Sequence, residues 1–264
     1  MSTAVAVGDL LRGWRQRRRI SQLDLAGDAE ISTRHLSFIE TGRSTPSRAV
    51  ILRLAEQLDV PLRARNTLLT AAGYAPVFAE RPLDDPALAL ARQAIDRLLA
   101  AHEPFPAIAV DRHWTLVTGN RAATQLMTVA DAALLQPPVN VLRLSLHPRG
   151  LAPRIENLHE WRGHVMGRLR RQVEVSADPV LAELLTELSD LTFPGTAHEP
   201  AVHDYGGVLV PLRLVADGGV LSFFSTTTIF GTPVDITLSE IALESFFPAD
   251  AATAQALRRA AGEH

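Results

Sequence analysis

Residues 21–47, SQLDLAGDAEISTRHLSFIETGRSTPS, constrain the fold of this chain more than any other stretch. Ser21 is a good helix N-cap, and Gln22 opens a run that puts Leu25 and Ala26 on one face. Ser32 is a second cap. Leu36 and Ile39 then repeat at i, i+3, and Gly42 follows as a helix stop. The spacing predicts two short helices joined by a tight turn. Thr33, Arg34, Ser37 and Phe38 fall on the side of the second helix away from its apolar stripe. A short helix with hydroxyls and an arginine on its outer face fits a DNA major groove, where such groups can read base edges. Double-stranded DNA is therefore the expected partner.

The flanking sequence predicts more helices. Residues 8–18 form one, with Leu10, Leu11 and Trp14 on a face and the run Arg15, Arg17, Arg18, Arg19 at its end. Such a run also suits a plain solvated helix end. Ser47 caps a further helix with Ile51, Leu54, Ala55 and Leu58 at core spacing. Pro61 opens a fifth, carrying Leu62, Leu68 and Leu69, and Gly73 ends it. The 264 residues suit two domains on length alone. Net charge is −3, but it is unevenly spread: residues 1–75 hold 11 Arg against 7 acids, and the remainder 15 against 22. A basic head on an acidic body points to a polyanion at the N-terminus. The absence of Cys excludes disulfides, thiolate metal sites and Cys nucleophiles. No apolar run reaches membrane-spanning length and no signal-peptide pattern occurs, so a cytoplasmic protein without membrane contact is expected.

Gln22, Leu25-Ala26, Ser32, Leu36, Ile39-Glu40-x-Gly42-Arg43 and Pro46 resemble the helix-turn-helix domain of the phage-repressor type, the XRE family. The resemblance implies that Gln22 bonds a phosphate, that Thr33 and Arg34 read bases first, and that Ser37 and Phe38 follow one turn later. Arg43 would touch the backbone after the helix. With the cap Ser32, these make the expected DNA-binding set. Phe38 either meets a thymine methyl or packs inside, and His35 packs or caps. The resemblance also implies a structural ion pair between Arg15 and Glu40. Glu30 departs from the pattern, standing where the family usually has a turn glycine; a left-handed residue there costs about 1 kcal/mol.

Residues 76–104 read as linker and connecting helix. Three prolines and a charge cluster fill 74–86, and 87–102 is amphipathic, with Leu88, Ala91, Ile95, Leu98 and Leu99. From residue 105 the pattern changes. Ala107–Val110 is a short strand, Asp111-Arg112-His113 a turn, and Trp114, Leu116 and Thr118 alternate as a second strand. Asn120 then caps a helix through Ala123 and Leu126. That order resembles the opening of a PAS-type sensor domain. Residues 139–192 read as helical. Residues 208–215 and Gly219–Ile229 read as strands around the hairpin turn Asp217-Gly218. Ile236, Leu238, Ile241 and Leu243 suit a last strand, and 238–245 suits a helix nearly as well. A short helix over 249–261 closes the chain. The expected fold class is α+β in two domains: residues 1–75 an all-α five-helix repressor-like unit, and 105–264 a PAS-like antiparallel sheet with helices on one face.

Over most of its length the chain resembles the MmyB-like family of bacterial regulators. The phrases that carry this are STRHLSFIETGRSTPSR, LLTAAGYAP, VDRHWTLVTGNRAA, NVLRLSLHPRGLAP, HEWRGH and FGTPVDITLSEIALESFFPAD. The resemblance implies a homodimer on a palindromic operator and a cavity for a small apolar, fatty-acid-like ligand. Candidate lining residues are Trp161, Leu221, Phe223, Phe224 and Ile229, all of which suit a plain core. Arg143, His147, Arg162 and Asn120 are the candidates to meet an acid headgroup, and Asn120 also suits a helix cap. A second reading makes this domain only a dimerisation or protein-docking module without ligand. A third has the helix-turn-helix contact protein rather than DNA.

Catalytic patterns are missing. His159 and His164 in HEWRGH are five apart, whereas a zinc-binding helix needs i, i+4. No GxSxG, phosphate-binding loop or GxGxxG occurs. His147 and His203 read as structural. No catalytic residue, metal or cofactor is expected, and an enzyme carrying a DNA-binding appendage is a minor alternative.

Overall fold

Serine caps start three of the first five helices. In the computed structural model, which describes residues 6–193, 210–231, 233 and 235–262, these are α1 (Val7–Arg17), α2 (Gln22–Asp28), α3 (Thr33–Glu40), α4 (Arg48–Gln57) and α5 (Leu62–Ala71). The hydroxyls of Ser21, Ser32 and Ser47 accept the backbone N–H of Asp24, His35 and Val50 at 3.1, 3.1 and 3.3 Å. Each such cap contributes about 1 kcal/mol. The faces written at helical spacing meet in one core of Leu11, Trp14, Leu25, Leu36, Ile39, Ile51, Leu54, Leu58 and Leu69. Gly8 lets α1 lie against α3: a Cβ there would stand 2.2 Å from the Ile39 carbonyl oxygen.

Glu40 ties this unit together from inside. Its carboxylate is buried and accepts Arg15 Nε at 2.6 Å, Arg15 Nη2 at 2.8 Å and Gln22 Nε2 at 2.8 Å. Arg12 donates to the Glu40 carbonyl at 2.8 Å. Helices α1, α2 and α3 thus share one anion. Much of the basic run is consumed structurally, since Arg15 also donates to the Ile20 carbonyl and Arg18 to those of Leu58 and Asp59. Glu30 does adopt the left-handed conformation, at φ 51°, and its carboxylate lies 3.5 Å from Arg53.

By internal contacts the chain divides into two units: Met1–Pro82 with Thr232–Ser239, and Leu83–Gly231 with Glu240–His264. The second begins with a 3-10 turn, Pro86–Leu88, and α6 (Ala89–Ala101). Leu88, Ile95 and Leu99 of the amphipathic segment are buried, but Leu98 is exposed. The sheet contains β1 (Ala107–Val110), β2 (Leu116–Gly119), β3 (Leu212–Ala216), β4 (Gly219–Ile229) and β5 (Ala242–Pro248), all antiparallel, in the order β2-β1-β5-β4-β3. Between β2 and β3 come α7 (Arg121–Met127), α8 (Val141–Leu146), α9 (Leu158–Ser176) and α10 (Pro179–Ser189). After β4 come α11 (Ile236–Ser239) and, past β5, α12 (Ala251–Ala261). The core of this unit joins Ile108, Leu214 and Phe246 of the sheet to Trp161, Val165 and Leu169 of α9 and Leu184 and Leu188 of α10.

Three expected strand boundaries are corrected. The second strand starts at Leu116, because Trp114 sits at φ 65° in the turn, where the Asp111 carboxylate accepts the N–H groups of His113 and Thr115. The third starts at Leu212; Asn157 bonds the Pro211 carbonyl and the Arg213 N–H, and positions 208 and 209 lie outside the described residues, as does His203. Ile236 and Leu238 are not in a strand. They form the single turn of α11, which Asp235 caps through the Thr237 N–H at 2.9 Å, and β5 begins only at Ala242. No described helix is long and apolar enough to cross a membrane.

Removing Glu40 would leave the Arg15 guanidinium buried and unpaired. Glu40→Ala is expected to destabilise the protein by about 3–5 kcal/mol in denaturant unfolding. Burial pushes the Glu40 carboxyl pKa up, but the hydrogen bonds of Arg15 and Gln22 and the charges of Arg15 and Arg12 outweigh this and hold it below its ordinary 4.5. A carboxyl depressed by folding binds fewer protons than in the unfolded chain. Its stabilisation is therefore full above pH 4.5 and disappears as pH falls through the lower folded value; acid unfolding of Glu40→Gln should lack this component.

Candidate nucleic-acid interface and ligand cavity

The cap at Ser32 and the stop at Gly42, φ 71°, set the length of α3. Between them, Leu36, Ile39 and Glu40 point inward and are buried. The opposite side carries Arg34, which is exposed, and Thr33, Ser37 and Phe38, which are half-buried. Phe38 neither packs in the core nor stands bare. The guanidinium of Arg34 lies 5.3 Å from its ring centre and that of Arg43 lies 5.9 Å away. Cation–π contact of this kind is worth about 0.5–1 kcal/mol at an exposed site. It holds two cations together on the outer face. Gln22, expected on a phosphate, gives one amide hydrogen to Glu40, which leaves its second N–H as the donor for a ligand. Ser32 is occupied as the cap, and Arg43 is exposed just past the helix. Arg15 and Glu40 form the bidentate pair described above.

The second site is a cavity of about 110 Å³ between the sheet and its helical layer. Its walls are almost wholly apolar: Ile108, Trp114, Leu142, Trp161, Val165, Leu212, Leu214, Phe223 and Phe246 are among them. Alternation along the strands supplies the sheet side, and α9 presents Trp161, His164, Val165 and Arg168 along one face at i, i+3, i+4, i+7. A few polar groups also line it: Ser145, His164, Arg168, Ser225 and Glu244. Arg168 is fixed in place. Its Nη1 donates to Glu244 Oε2 at 3.1 Å, its Nη2 donates to Glu244 Oε1 and to Thr227 Oγ1 at 2.7 Å, and its guanidinium lies 4.6 Å from the Trp114 ring centre. Trp161 Nε1 donates to Ser145 Oγ at 3.0 Å, and the Trp161 ring stacks on His164 at 5.6 Å.

Of the residues expected around a ligand, the structure brings Trp161 and Phe223 to the cavity and places seven others elsewhere. Asn120 is saturated. Its Oδ1 accepts from Ala107 and Ala123, and its Nδ2 donates to Leu99 and Phe105, so it is the helix cap. Arg143 makes a bidentate pair with Glu187 at 2.6 Å on the surface. His147 accepts the Arg149 N–H through Nδ1. Arg162 donates to the carbonyls of Leu188 and Ser189, fastening the end of α10. Phe224 lies on the other sheet face, stacked on Phe247 at 5.3 Å. Leu221 lines a separate open groove with Arg121, Arg154 and Arg259. Ile229 is exposed. Sequence reading overlooked Arg168, Glu244, Ser145 and Ser225, and it weighed His164 only as a metal ligand. The available signal was the spacing of His164 and Arg168 from Trp161 along one helix.

The polar lining has no assembled catalytic relay. Glu244 is taken by Arg168 and Thr227, and no hydrogen bond joins His164 to either serine or to Glu244 among the described residues. Nor do the described residues bring three His, Cys, Asp or Glu together to hold a metal.

A family model for the MmyB-like transcription regulator ligand binding domain matches residues 91–260, and one for a helix-turn-helix domain matches residues 6–68. No curated protein matches the chain. Among solved structures, the clp gene regulator ClgR from Corynebacterium glutamicum is 23% identical, covering 38% of this chain and 94% of its own, with a TM-score of 0.23. An RNA-binding light-oxygen-voltage receptor is 14% identical, covering 96% of this chain and 61% of its own, with a TM-score of 0.27. Neither likeness is close enough to carry an argument.

Burial lowers the His164 imidazole pKa, and the charges of Arg168 and Arg171 lower it further against the opposing pull of Glu244. An NMR pH titration of the full chain should place the His164 midpoint below its ordinary 6.5. The unfolded chain binds that proton first, so this group makes stability rise with pH through the window.

Proposed function

The chain belongs to the MmyB-like transcription regulator family, and from that premise we propose a sequence-specific regulator whose second unit senses a small ligand. Its helix-turn-helix and ligand-binding domains make it a DNA-binding transcription regulator; the specific parts below are our reading. One observation carries the DNA side. Thr33, Arg34 and Ser37 stand on the outer face of α3, whose inner face is locked by Glu40. Thr33, Arg34, Ser37 and Phe38 read base edges, while Arg43 and the free amide hydrogen of Gln22 reach phosphate. The protein acts as a homodimer on a palindrome, with two recognition helices about 34 Å apart in successive major grooves.

The sheet order β2-β1-β5-β4-β3 supports a PAS-like second domain. The apolar cavity supports a ligand with a fatty-acid-like aliphatic body. Occupancy biases the spacing of the two reading helices if the ligand binds one arrangement of the dimer better than the other. The small volume favours a second reading, in which the domain is only a dimerisation or docking module. Solvent extraction of the purified protein followed by mass spectrometry separates the two, since a ligand sensor should release a stoichiometric aliphatic compound.

Arg34→Ala should cost about 1–3 kcal/mol at a single base-pair position in a binding assay over operator variants. Equal weakening on every sequence would mean that Arg34 touches only phosphate. Affinity of the wild type should also fall steeply as salt rises, because phosphate contacts release counterions.

A further inference from the structure

We propose that the cavity in the second unit selects a ligand with an uncharged, hydrogen-bonding head on its apolar body, and that Ser145, Ser225 and His164 meet that head. This rests on the reading of the cavity as a ligand site. The head chemistry follows from charge and from unused hydrogen-bonding groups.

Among the described residues, the polar lining has no spare positive charge. Arg168 lines it, but both terminal nitrogens are committed to Glu244, with Thr227 completing the cluster. Trp114 covers the guanidinium face, so Arg168 is held on three sides. The pair is neutral as a whole. Burial and the nearby arginines lower the His164 imidazole pKa, which favours its uncharged form. Arg171, the other cation it feels, is exposed to solvent. A carboxylate entering here would lose its water and meet Glu244, with no free cation in return among the described residues. Burying an uncompensated charge is strongly unfavourable.

An uncharged head meets better partners. Ser145 accepts from Trp161, and its own proton goes to no group among the described residues. Neither the Ser225 hydroxyl nor the His164 ring has a hydrogen-bond partner there. Two hydroxyls and a neutral imidazole can both donate and accept, which suits an amide or an alcohol. All three line the same otherwise apolar cavity, and Ser145 and His164 both contact Trp161.

The test uses the full-length protein and three probes with the same chain: octanamide, 1-octanol and octanoate. Binding is followed by calorimetry and by tryptophan fluorescence at about pH 8, where the acid is fully ionised. Octanamide or octanol should bind at least about tenfold tighter than octanoate, the penalty of an unpaired buried charge. Glu244→Gln keeps an oxygen for Arg168 and Thr227 but frees the arginine's charge, so octanoate should gain about tenfold relative to octanamide. Ser145→Ala should weaken octanamide about threefold to tenfold, the loss of one neutral hydrogen bond. Equal affinities, or octanoate tightest on the wild type, would overturn the neutral-head assignment while leaving a ligand cavity in place. Failure of all three to bind would instead overturn the cavity reading beneath it. If Glu244→Gln does not fold, the wild-type ranking and Ser145→Ala still decide the matter.

Discussion

A single buried carboxylate organises the DNA-reading half. Glu40 is the last residue of α3, yet its side chain reaches back to Arg15 on α1 and to the first residue of α2. An unpaired charge there would be prohibitive, so the three helices are stable together only when the donors converge. Apolar packing alone fixes spacing but tolerates sliding. Directional, charge-assisted hydrogen bonds do not. They set the rotation of α3 about its own axis, which decides that Arg34 and Thr33 face outward. The close approach at Gly8 has the same effect on distance: the backbone of α1 comes near enough for Arg12 and Arg15 to reach α3.

The second unit applies the same device for a different purpose. Glu244 is also buried and also paired to an arginine in bidentate fashion, but the pair borders a cavity instead of a helix junction. Satisfying the charge internally leaves a wall that is polar without being charged. Strand alternation puts Phe223 and Ser225 of β4 on the cavity side and Phe224 on the other, where it stacks on Phe247. On the reading proposed above, a ligand's head would be told apart there mainly by hydrogen bonding.

How much of this was legible in the sequence depended on the distance over which the deciding interaction acts. Caps and apolar repeats act within a few residues, so the five N-terminal helices, β1, β4 and the cap at Asn120 were all readable. Glu30 was flagged as a left-handed position and occupies one. Partners far apart in sequence were not readable. Arg143 looked available, but Glu187, 44 residues on, takes it; Glu244 drew no notice because the Arg168 that pairs with it stands 76 residues earlier. The Arg15–Glu40 pair, 25 apart, was accessible only because the surrounding motif resembles a known pattern. Trp114 misled the strand boundary because an aromatic residue at positive φ is rare, and nothing local announces it.

The chain does not finish with its first unit when it leaves it at Pro82. Residues from the stretch between β4 and β5 rejoin that unit, where Arg81 pairs with Asp235 at 2.9 Å, Ile236 bonds the Ala79 carbonyl at 2.8 Å and Thr237 bonds the Arg81 carbonyl. The reading head is therefore not a detachable N-terminal cassette. Cutting the gene after Pro82, or grafting residues 1–82 onto a foreign sensor, strips Arg81 of its counterion and uncovers the surface beneath Ile236. Recombination between such proteins would have to exchange a discontinuous module, taking the short crossover between two sheet strands along with the helices it completes.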